Sequence, residues 1–378
     1  MKNLKDINRR DFIKLSTVGA SGLALGLSPF QIKTKSDLDR LFDRSIVIDA
    51  LNVGHDGEGI ESMKATDWDT QELDAIKKSG YTGIHTSLAS RNWDSTLKSI
   101  IVWNERISLK PEVYLKATKA AHFKQAKKQG RLAVLYGHQN ATMLENNIER
   151  LNVMYDLGTR CIQLTYNTRN LLGDGCTERT NAGLSDFGIA VVKRMNELGI
   201  IVDLSHCGEK TSNDGIYFSS PPACFTHTMC EALYPGHPRA KTDKQLRYIA
   251  QKGGMIGIAA LGYFIGPDPG GKTTIETYLD HIDHAVKIAG LDHVGLSTDF
   301  QIHGQKAWAT KESWYEPRLK SFKPSYNVKW PPWIPELDEP RRFRNVTYGL
   351  FKRGYSERAI EKILGENWLS YFEEVLRA

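Results

Sequence analysis

The 378-residue sequence lacks several features that would place it in a specialised class of protein. It has no run of five or six basic residues interleaved with aromatics, although its net charge is +6, so nucleic-acid binding is a weak interpretation. Beyond the N-terminus it has no apolar segment long enough to span a bilayer. With 40% hydrophobic and 25% charged residues, the chain can bury a large core, which suits one big α/β barrel or two ordinary domains.

Cysteine is sparse, and its spacing shows no metal-binding pair. None of the five cysteines forms a CxxC motif, and an odd number cannot all pair within one chain. We interpret them mainly as small buried apolar residues that stay reduced during folding in the cytoplasm. Thiolate ligation of a metal stays an alternative for those that lie close in sequence to His206 and His227. The five are Cys161, Cys176, Cys207, Cys224 and Cys230.

The first 35 residues have the order of an export signal. The stretch NRRDFIK, Asn8 to Lys14, places paired arginines before two bulky apolar residues, and a short run of small, weakly apolar residues follows. This order resembles a twin-arginine signal and predicts a bacterial protein that crosses the inner membrane folded and works in the periplasm. A chance pair of arginines is the alternative. The segment has no clean AxA cleavage site, so its retention as a membrane anchor stays open.

Residues 36–378 alternate strand-like and helical stretches. Apolar runs predict eight strands, at 45–51, 81–88, 131–137, 159–166, 199–206, 222–228, 253–261 and 293–300. Helical periodicity fills most of the gaps, as in SDFGIAVVKRMNELG, where Gly199 supplies the stop. Eight such alternations predict a (β/α)8 barrel, with an aromatic-rich insertion at about 303–340. A doubly wound sheet is the alternative, but no GxGxxG motif follows the first strand.

Polar residues stand at the ends of the predicted strands. The carboxyl ends of barrel strands share one mouth, so we expect these side chains to converge there. Two imidazoles and a carboxylate fit a divalent metal, and the nitrogen ligands favour zinc. Each histidine alone is more often a hydrogen-bonded structural residue, and only the joint placement favours a site. The residues are Asp49, Asn52, His85, Gln139, Asn140, Tyr166, Asn167, His206, His227 and Asp299.

Longer motifs add a family resemblance. The segments MNELGIIVDLSHCGEKT, PACFTHT, HPRAKTD, QKGGMIGI, HIDHAVKIAGLDHVGLSTDF and RGYSERAIEKILGENWLSYFEEV resemble, in this order, the renal (membrane) dipeptidase family of zinc peptidases. The resemblance implies an amidohydrolase-type barrel with two zinc ions, bridged by a carboxylate and by a hydroxide that attacks a dipeptide. It places His206 and His227 on the second metal. Arg239 falls on the arginine that pairs with the substrate's carboxylate, and Asp299 falls on the aspartate that handles protons.

The chain also departs from this family pattern. The family's first strand ends in DxHxD, whose histidine and last aspartate bind the first metal, whereas this chain reads DALNV, with Leu51 and Val53 there. Neither side chain can ligate a metal. The bridging glutamate falls on Gln139, and the histidine that steadies the intermediate falls on Tyr166. We therefore expect one zinc ion rather than two, with Asp299 as a ligand beside the two histidines.

Three further segments bear on the pocket. His55 and Asp56 lie in a glycine-flanked loop, which is a poor rigid platform for substitute ligands. The polar loop 166–188 is long enough to cover the barrel mouth. The insertion at 303–340 is rich in tryptophan and tyrosine, and we interpret it either as a lid or partner surface, or as a loop that packs its rings on the barrel wall.

The sequence therefore predicts an exported, dipeptidase-like metallohydrolase that acts on a dipeptide or small amide with a free carboxylate. Asp299 is its candidate catalytic residue, and His206 and His227 are its candidate zinc ligands. The candidate substrate-binding residues are Arg239, Tyr166, Asn167 and Gln139. The alternatives are a catalytically silent or tailoring homologue that binds a small ligand, and a non-hydrolytic enzyme on the same barrel. The expected partners are the substrate and the twin-arginine export machinery, with a homodimer left open.

Overall fold

The strands of the protein form one parallel sheet. The computed structural model describes residues 34–53, 70–268 and 271–376, so the predicted export signal up to residue 33, with His55 and Asp56, lies outside the described residues. The strands are β1 (Ile48–Asn52), β2 (Gly83–Leu88), β3 (Tyr114–Lys116), β4 (Leu132–His138), β5 (Thr159–Gln163), β6 (Ile201–Asp203), β7 (Cys224–Cys230), β8 (Ala240–Lys241), β9 (Met255–Ile258) and β10 (Val294–Leu296). Each pairs with its neighbours in the parallel sense.

The order of the strands is that of a nearly closed barrel. The main path is β1-β2-β4-β5-β6-β7-β9-β10, with β3 beside β4 and β8 beside β7. The ends of this path meet where Asp299 N donates to Leu51 O over 2.9 Å. The eight strands of the path are the eight predicted from the sequence, and the predicted (β/α)8 architecture is confirmed. The sequence did not predict β3 and β8, because strands of three and two residues are too short to show a periodic pattern.

Helices connect the strands along the chain. They are α1 (Lys35–Arg44), α2 (Thr70–Ser79), α3 (Trp93–Leu109), α4 (Ala120–Gln129), α5 (Arg150–Leu157), α6 (Asp186–Leu198), α7 (Glu209–Phe218), α8 (Asp243–Gln251), α9 (Gly262–Ile265), α10 (Ile275–Ala289), α11 (Glu316–Ser321), α12 (Arg342–Lys352), α13 (Glu357–Glu361) and α14 (Asn367–Val375). α6 ends at Gly199 as predicted, because glycine readily takes the left-handed conformation, φ 77°, that stops the helix. In the described part of the chain, every helix is too short or too polar to cross a bilayer.

The amino-terminal end of the barrel is filled by α14. Trp368 and Phe372 of this helix are buried and pack with residues near the starts of the strands, such as Cys161 and Ile201. A Cβ atom at Gly295 would lie 2.3 Å from Trp368 Nε1, so only glycine leaves room for the indole there. We therefore expect the active site at the opposite end of the barrel, where the strands end in polar residues.

The aromatic-rich insertion packs against the barrel. Trp314 and Tyr326 are buried, and their rings lie 5.8 Å and 6.5 Å from the ring of Tyr263 in α9. Lys323 Nζ donates to Thr177 O over 2.6 Å and so joins the insertion to the loop that follows β5. Of the two interpretations of this segment, the structure favours ring packing on the barrel.

Candidate active site

The two predicted histidine ligands meet at the carboxyl end of the barrel. His206 follows β6 and His227 lies in β7, and both side chains are buried. Their Nε2 atoms are 2.9 Å apart, and their ring planes are inclined by 56°. Two nitrogens bound to one tetrahedral zinc ion are about 3.3 Å apart, because each Zn–N bond is about 2.0–2.1 Å long. The separation of the two Nε2 atoms is therefore close to what a shared ion needs.

The other ring nitrogen of each histidine has a hydrogen-bond partner. His206 Nδ1 donates to Asn167 Oδ1 over 2.7 Å, because an amide oxygen only accepts. His227 Nδ1 lies 2.8 Å from Thr226 Oγ1, whose own proton is donated to Asp203 Oδ2 over 2.6 Å. Thr226 Oγ1 therefore accepts the proton of His227 Nδ1. Both neutral rings carry their proton on Nδ1, and both Nε2 atoms carry bare lone pairs.

The lone pairs of His206 Nε2 and His227 Nε2 face each other, so a cation between them would stabilise this arrangement. Across 2.9 Å they repel each other, whereas a cation between them attracts both. Burial lowers the pKa of both histidines well below the usual value, and the charge of Arg239 lowers it further. A shared proton is therefore disfavoured near neutral pH. A transition-metal ion is a cation that suits two imidazole nitrogens.

Asp203 ties together the two strands that carry the histidines. Besides Thr226 Oγ1, its carboxylate accepts hydrogen bonds from Ser205 Oγ at 2.5 Å and from the backbone N–H groups of Ser205 and Thr226 at 3.0 and 3.1 Å. Ser205 Oγ in turn accepts from His227 N over 3.1 Å. The stretch DLSH, which places a carboxylate and a hydroxyl directly before His206, indicates from the sequence that Asp203 and Ser205 are well placed for function. Sequence reasoning missed Thr226.

Arg239 is buried beside the histidine pair with a free donor. Its Nε donates to Ser205 O over 3.2 Å, and its Nη2 donates to His227 O over 2.7 Å. Its Nη1 finds no hydrogen-bond partner in the described ranges. A carboxylate could therefore bind at Nη1 without breaking either existing bond. Nη1 is therefore the atom of Arg239 that we expect to bind the substrate's carboxylate.

Asp299 lies at the end of β10 near Arg239. It is partly buried and has a left-handed backbone, with φ 63°. Burial raises its pKa to about 7, against the opposing charges of Arg239 and Arg318. A carboxyl group with this pKa can both accept and donate a proton near neutral pH. Across the residues that the structure describes, no three His, Cys, Asp or Glu side chains are grouped to hold a metal. That Asp299 is a ligand beside the two histidines stays a prediction.

The other predicted substrate-binding residues take different positions. The ring of Tyr166 stacks on that of His206, with centroids 4.1 Å apart, and remains partly exposed at the mouth. Asn167 uses its side-chain oxygen to orient His206, so that atom is not available to a substrate. Gln139 Nε2 donates to Ser87 Oγ over 3.1 Å, at the end of β2. Tyr166 and Asn167 therefore contact His206 directly, whereas Gln139 hydrogen-bonds to a residue of β2.

Up to residue 53, where the described part of this segment ends, the β1 side of the mouth carries no ligand for a first metal. Leu51 is fully buried in the strand. Asn52 Nδ2 donates to Phe300 O over 2.9 Å, and Asp49 Oδ2 accepts from Thr298 Oγ1 over 2.6 Å. These contacts close the gap between β1 and the end of β10. A two-metal centre therefore does not fit the described residues, whereas His206 and His227 fit two ligands of one ion.

The remaining residues that the sequence left open make contacts within the barrel. His85 Nδ1 donates to Ala50 O over 2.8 Å, and its ring lies over Gly137, where a Cβ atom would be 1.8 Å from His85 Nε2. Asn140 Oδ1 accepts from Asn170 Nδ2 over 2.9 Å. The five cysteines are free thiols, and burial raises the pKa of each, which disfavours thiolate ligation.

Known proteins resemble this chain in sequence. The sequence profile of the membrane dipeptidase family, peptidase family M19, matches residues 45–311. Dipeptidase tcpJ of Claviceps purpurea is 31% identical over 250 residues, which are 66% of this chain and 52% of that protein. Dipeptidase ataJ of Aspergillus terreus is 29% identical over 301 residues, which are 74% of this chain and 67% of that protein. The chain thus spans about half to two thirds of these relatives.

Solved structures resemble it in fold. An amidohydrolase from Pseudomonas aeruginosa is 31% identical and has a TM-score of 0.77, over 89% of this chain and 98% of its own. A metallopeptidase from Rhodobacter sphaeroides, solved with a phosphinate mimic of the dipeptide L-Ala-D-Ala, shares the fold at 20% identity, with a TM-score of 0.69 over 88% of this chain and 99% of its own. The matched profile and the identity to these proteins show that the chain belongs to the membrane dipeptidase family, peptidase family M19.

Proposed function

We propose that this protein is an exported hydrolase that cleaves a dipeptide or small amide with a free carboxylate, and that it uses a single metal ion. The observation that carries the proposal is the convergence of the His206 and His227 Nε2 lone pairs, 2.9 Å apart. Zinc is the metal that such nitrogen ligands favour. The curated relatives, which are dipeptidases by name, support the substrate class.

The side chains at the mouth divide the work of such a reaction. A bound zinc ion would supply Lewis-acid chemistry toward the scissile carbonyl. Arg239 offers Nη1 to the carboxylate and so orients the substrate. Asp299, whose pKa burial raises to about 7, can take a proton from the attacking water and return it to the leaving amine. Tyr166 covers one face of His206 and shields it from water.

A second candidate is a silent homologue that binds a small carboxylate without cleaving it. Where the family resemblance implies two metal ligands and a bridging carboxylate, this chain has Leu51, Val53 and Gln139, which favours this candidate. Loss of one ion and of its negative bridge removes much of the preorganised charge that hydrolysis needs. Arg239 would keep its role in either case.

Metal content and hydrolysis, measured on the protein from the periplasmic fraction of its host, separate the two candidates. The proposal expects about one zinc per chain by elemental analysis, because two imidazoles converge on one point. It also expects cleavage of at least one member of a dipeptide panel. Both should be lost in His206→Ala and in His227→Ala. His284→Ala is the matched control, since that ring pairs with Asp243 at 2.7 Å, away from the histidine pair.

Each contrary outcome has a distinct meaning. A wild-type protein without zinc, or with zinc that survives both substitutions, would contradict the proposed metal site. Zinc without hydrolysis at high protein concentration would favour the silent homologue. Protein confined to the cytoplasm would contradict the export that the paired arginines, Arg9 and Arg10, predict.

A further inference from the structure

Tyr326 has a buried hydroxyl that the fold leaves without a partner. Its side chain is fully buried in the aromatic-rich insertion, and its Oη has no hydrogen-bond partner within the described residues. A buried hydroxyl in that state costs about 1–3 kcal/mol, and phenylalanine would fill the same space without that cost. The presence of tyrosine therefore indicates that a bound ligand supplies the hydrogen-bond partner of this hydroxyl.

Arg239 presents a second unpartnered donor of the same kind. Its side chain is also fully buried, and its Nη1 is the one guanidinium nitrogen without a hydrogen-bond partner in the described ranges. The other two nitrogens are held by carbonyl oxygens of Ser205 and His227, so the guanidinium cannot rotate freely toward another acceptor. The direction of the free N–H groups is thus set by the barrel.

The two donors lie in one neighbourhood. The Arg239 guanidinium lies 5.1 Å over the ring of Phe264, and the ring of Tyr326 lies 5.6 Å from that same ring. His237 bridges the two backbones, because its Nδ1 accepts from Arg239 N over 3.2 Å and its Nε2 donates to Tyr326 O over 3.0 Å. Both side chains are therefore held near each other by the same two aromatic rings.

The charges of this neighbourhood favour an anion. Burial raises the pKa of Tyr326 well above its usual value, and Arg239 is the largest opposing charge. The phenol therefore stays neutral and can donate its proton. Tyr166 and Asp299, which are partly exposed, both lie close enough to Arg239 to interact with its charge. Arg239 is cationic and its Nη1 has no hydrogen-bond partner among the described residues, so it attracts a negative group.

We propose that Tyr326 is a substrate-binding residue, whose O–H donates to one oxygen of the substrate's carboxylate while Arg239 Nη1 donates to the other. This inference rests on the proposed function, which supplies a small substrate with a free carboxylate. Two donors held in place suit the two oxygens of a carboxylate and reject a neutral amide, which offers one acceptor and brings a donor of its own. The insertion at 303–340 is then part of the pocket, because it contributes one of the two donors.

The test is Tyr326→Phe, compared with Tyr278→Phe. Tyr278 is equally buried, but its hydroxyl donates to Ile258 O at 3.1 Å and to Ser297 O at 3.3 Å. With Ala-Ala as substrate, in the L,L and the L,D form, Tyr326→Phe should raise KM about tenfold with little change in kcat, the effect of losing one good hydrogen bond. Its thermal midpoint should stay at or slightly above the wild-type value, whereas Tyr278→Phe should lower the midpoint and leave KM unchanged.

Calorimetric binding keeps the test independent of hydrolysis. Purified protein is titrated with Ala-Ala and with its C-terminal amide. The wild type should bind the carboxylate form about tenfold or more tightly than the amide, and Tyr326→Phe should reduce this preference. Binding without turnover would sink the proposed hydrolysis and leave this inference standing. Equal affinities of wild type and Tyr326→Phe for Ala-Ala, or a thermal midpoint that falls as far as in Tyr278→Phe, would overturn it.

Discussion

The two sides of the barrel mouth differ in what holds their residues. On the β6–β7 side, Asp203 and Thr226 fix a histidine through a chain of hydrogen bonds that ends in a bare Nε2. On the β1 side, Leu51 is buried as an apolar residue, and Asp49 binds Thr298 to close the barrel. Each side has its own strands and its own hydrogen bonds. Substitutions on the β1 side can therefore leave the geometry of the β6–β7 side unchanged, and the proposed site for one metal ion depends on the β6–β7 side alone.

The largest expected effect is a loss of stability after a substitution on the β1 side of the mouth. Leu51→Ala removes a fully buried side chain and should lower the free energy of unfolding by about 2–5 kcal/mol, as measured by urea unfolding. Zinc per folded chain should stay unchanged, because no ligand is removed. His227→Ala should show the opposite pattern, with zinc lost and a smaller change in the stability of the zinc-free protein. Loss of zinc in Leu51→Ala would mean that the two sides are coupled.

The next effect depends on pH and concerns Asp49. Burial raises its pKa from 3.8 to about 6, so the folded protein binds this proton more tightly than the unfolded chain does. The group therefore adds stability as the pH falls through about 6, and the gain is complete below about 3.8. This difference between the folded and unfolded pKa corresponds to about 3 kcal/mol. Asp49→Asn should lack this gain.

Urea unfolding at two pH values tests that expectation. The difference in unfolding free energy between wild type and Asp49→Asn should move by about 2–3 kcal/mol in favour of the wild type between pH 7 and about pH 4. Other acidic groups titrate in both proteins and cancel in this difference. A difference that stays constant across this range would show that burial does not disfavour the charged form of Asp49.

The smallest expected effect comes from a substitution on the β6–β7 side that changes neither of the proposed metal ligands. Thr226→Val removes the acceptor of His227 Nδ1, so the ring is no longer held with its proton on that nitrogen. Zinc affinity should fall about 10–100-fold in a competition with a chelator. Thr228→Val is the control on the same strand, since its Oγ1 donates to Arg239 O and not to a histidine. Equal affinities in the two variants would argue against the role of Thr226.

The fold was largely readable from the sequence. The eight apolar runs match the eight strands of the barrel path, because buried parallel strands need apolar residues on both faces. The predicted stop at Gly199 is also confirmed, since a left-handed helix end favours glycine. The closure of the barrel between β1 and β10 depends on Thr298, whose hydrogen bonds to Asp49 join residues almost 250 positions apart. No local sequence pattern predicts a hydrogen bond between residues so far apart in the chain.

The candidate site was readable only in part. The sequence pointed to His206, His227 and Arg239, and the structure brings these three together. That Asn167 binds the substrate stays a prediction, and the structure adds that its side-chain oxygen accepts a hydrogen bond from His206 Nδ1. The sequence did not identify a role for Thr226 or Tyr326 in the site, because a hydroxyl and a phenol acquire such a role only from their neighbours.

The sequence by itself determined the barrel and the absence of metal ligands at Leu51 and Val53, because strand periodicity and side-chain chemistry are properties of each local stretch. Only the tertiary structure decided which histidine nitrogens face each other and which donors are left without a partner. Those properties depend on hydrogen bonds between separate strands and loops. They exist only when burial has removed the water that would otherwise satisfy the same groups.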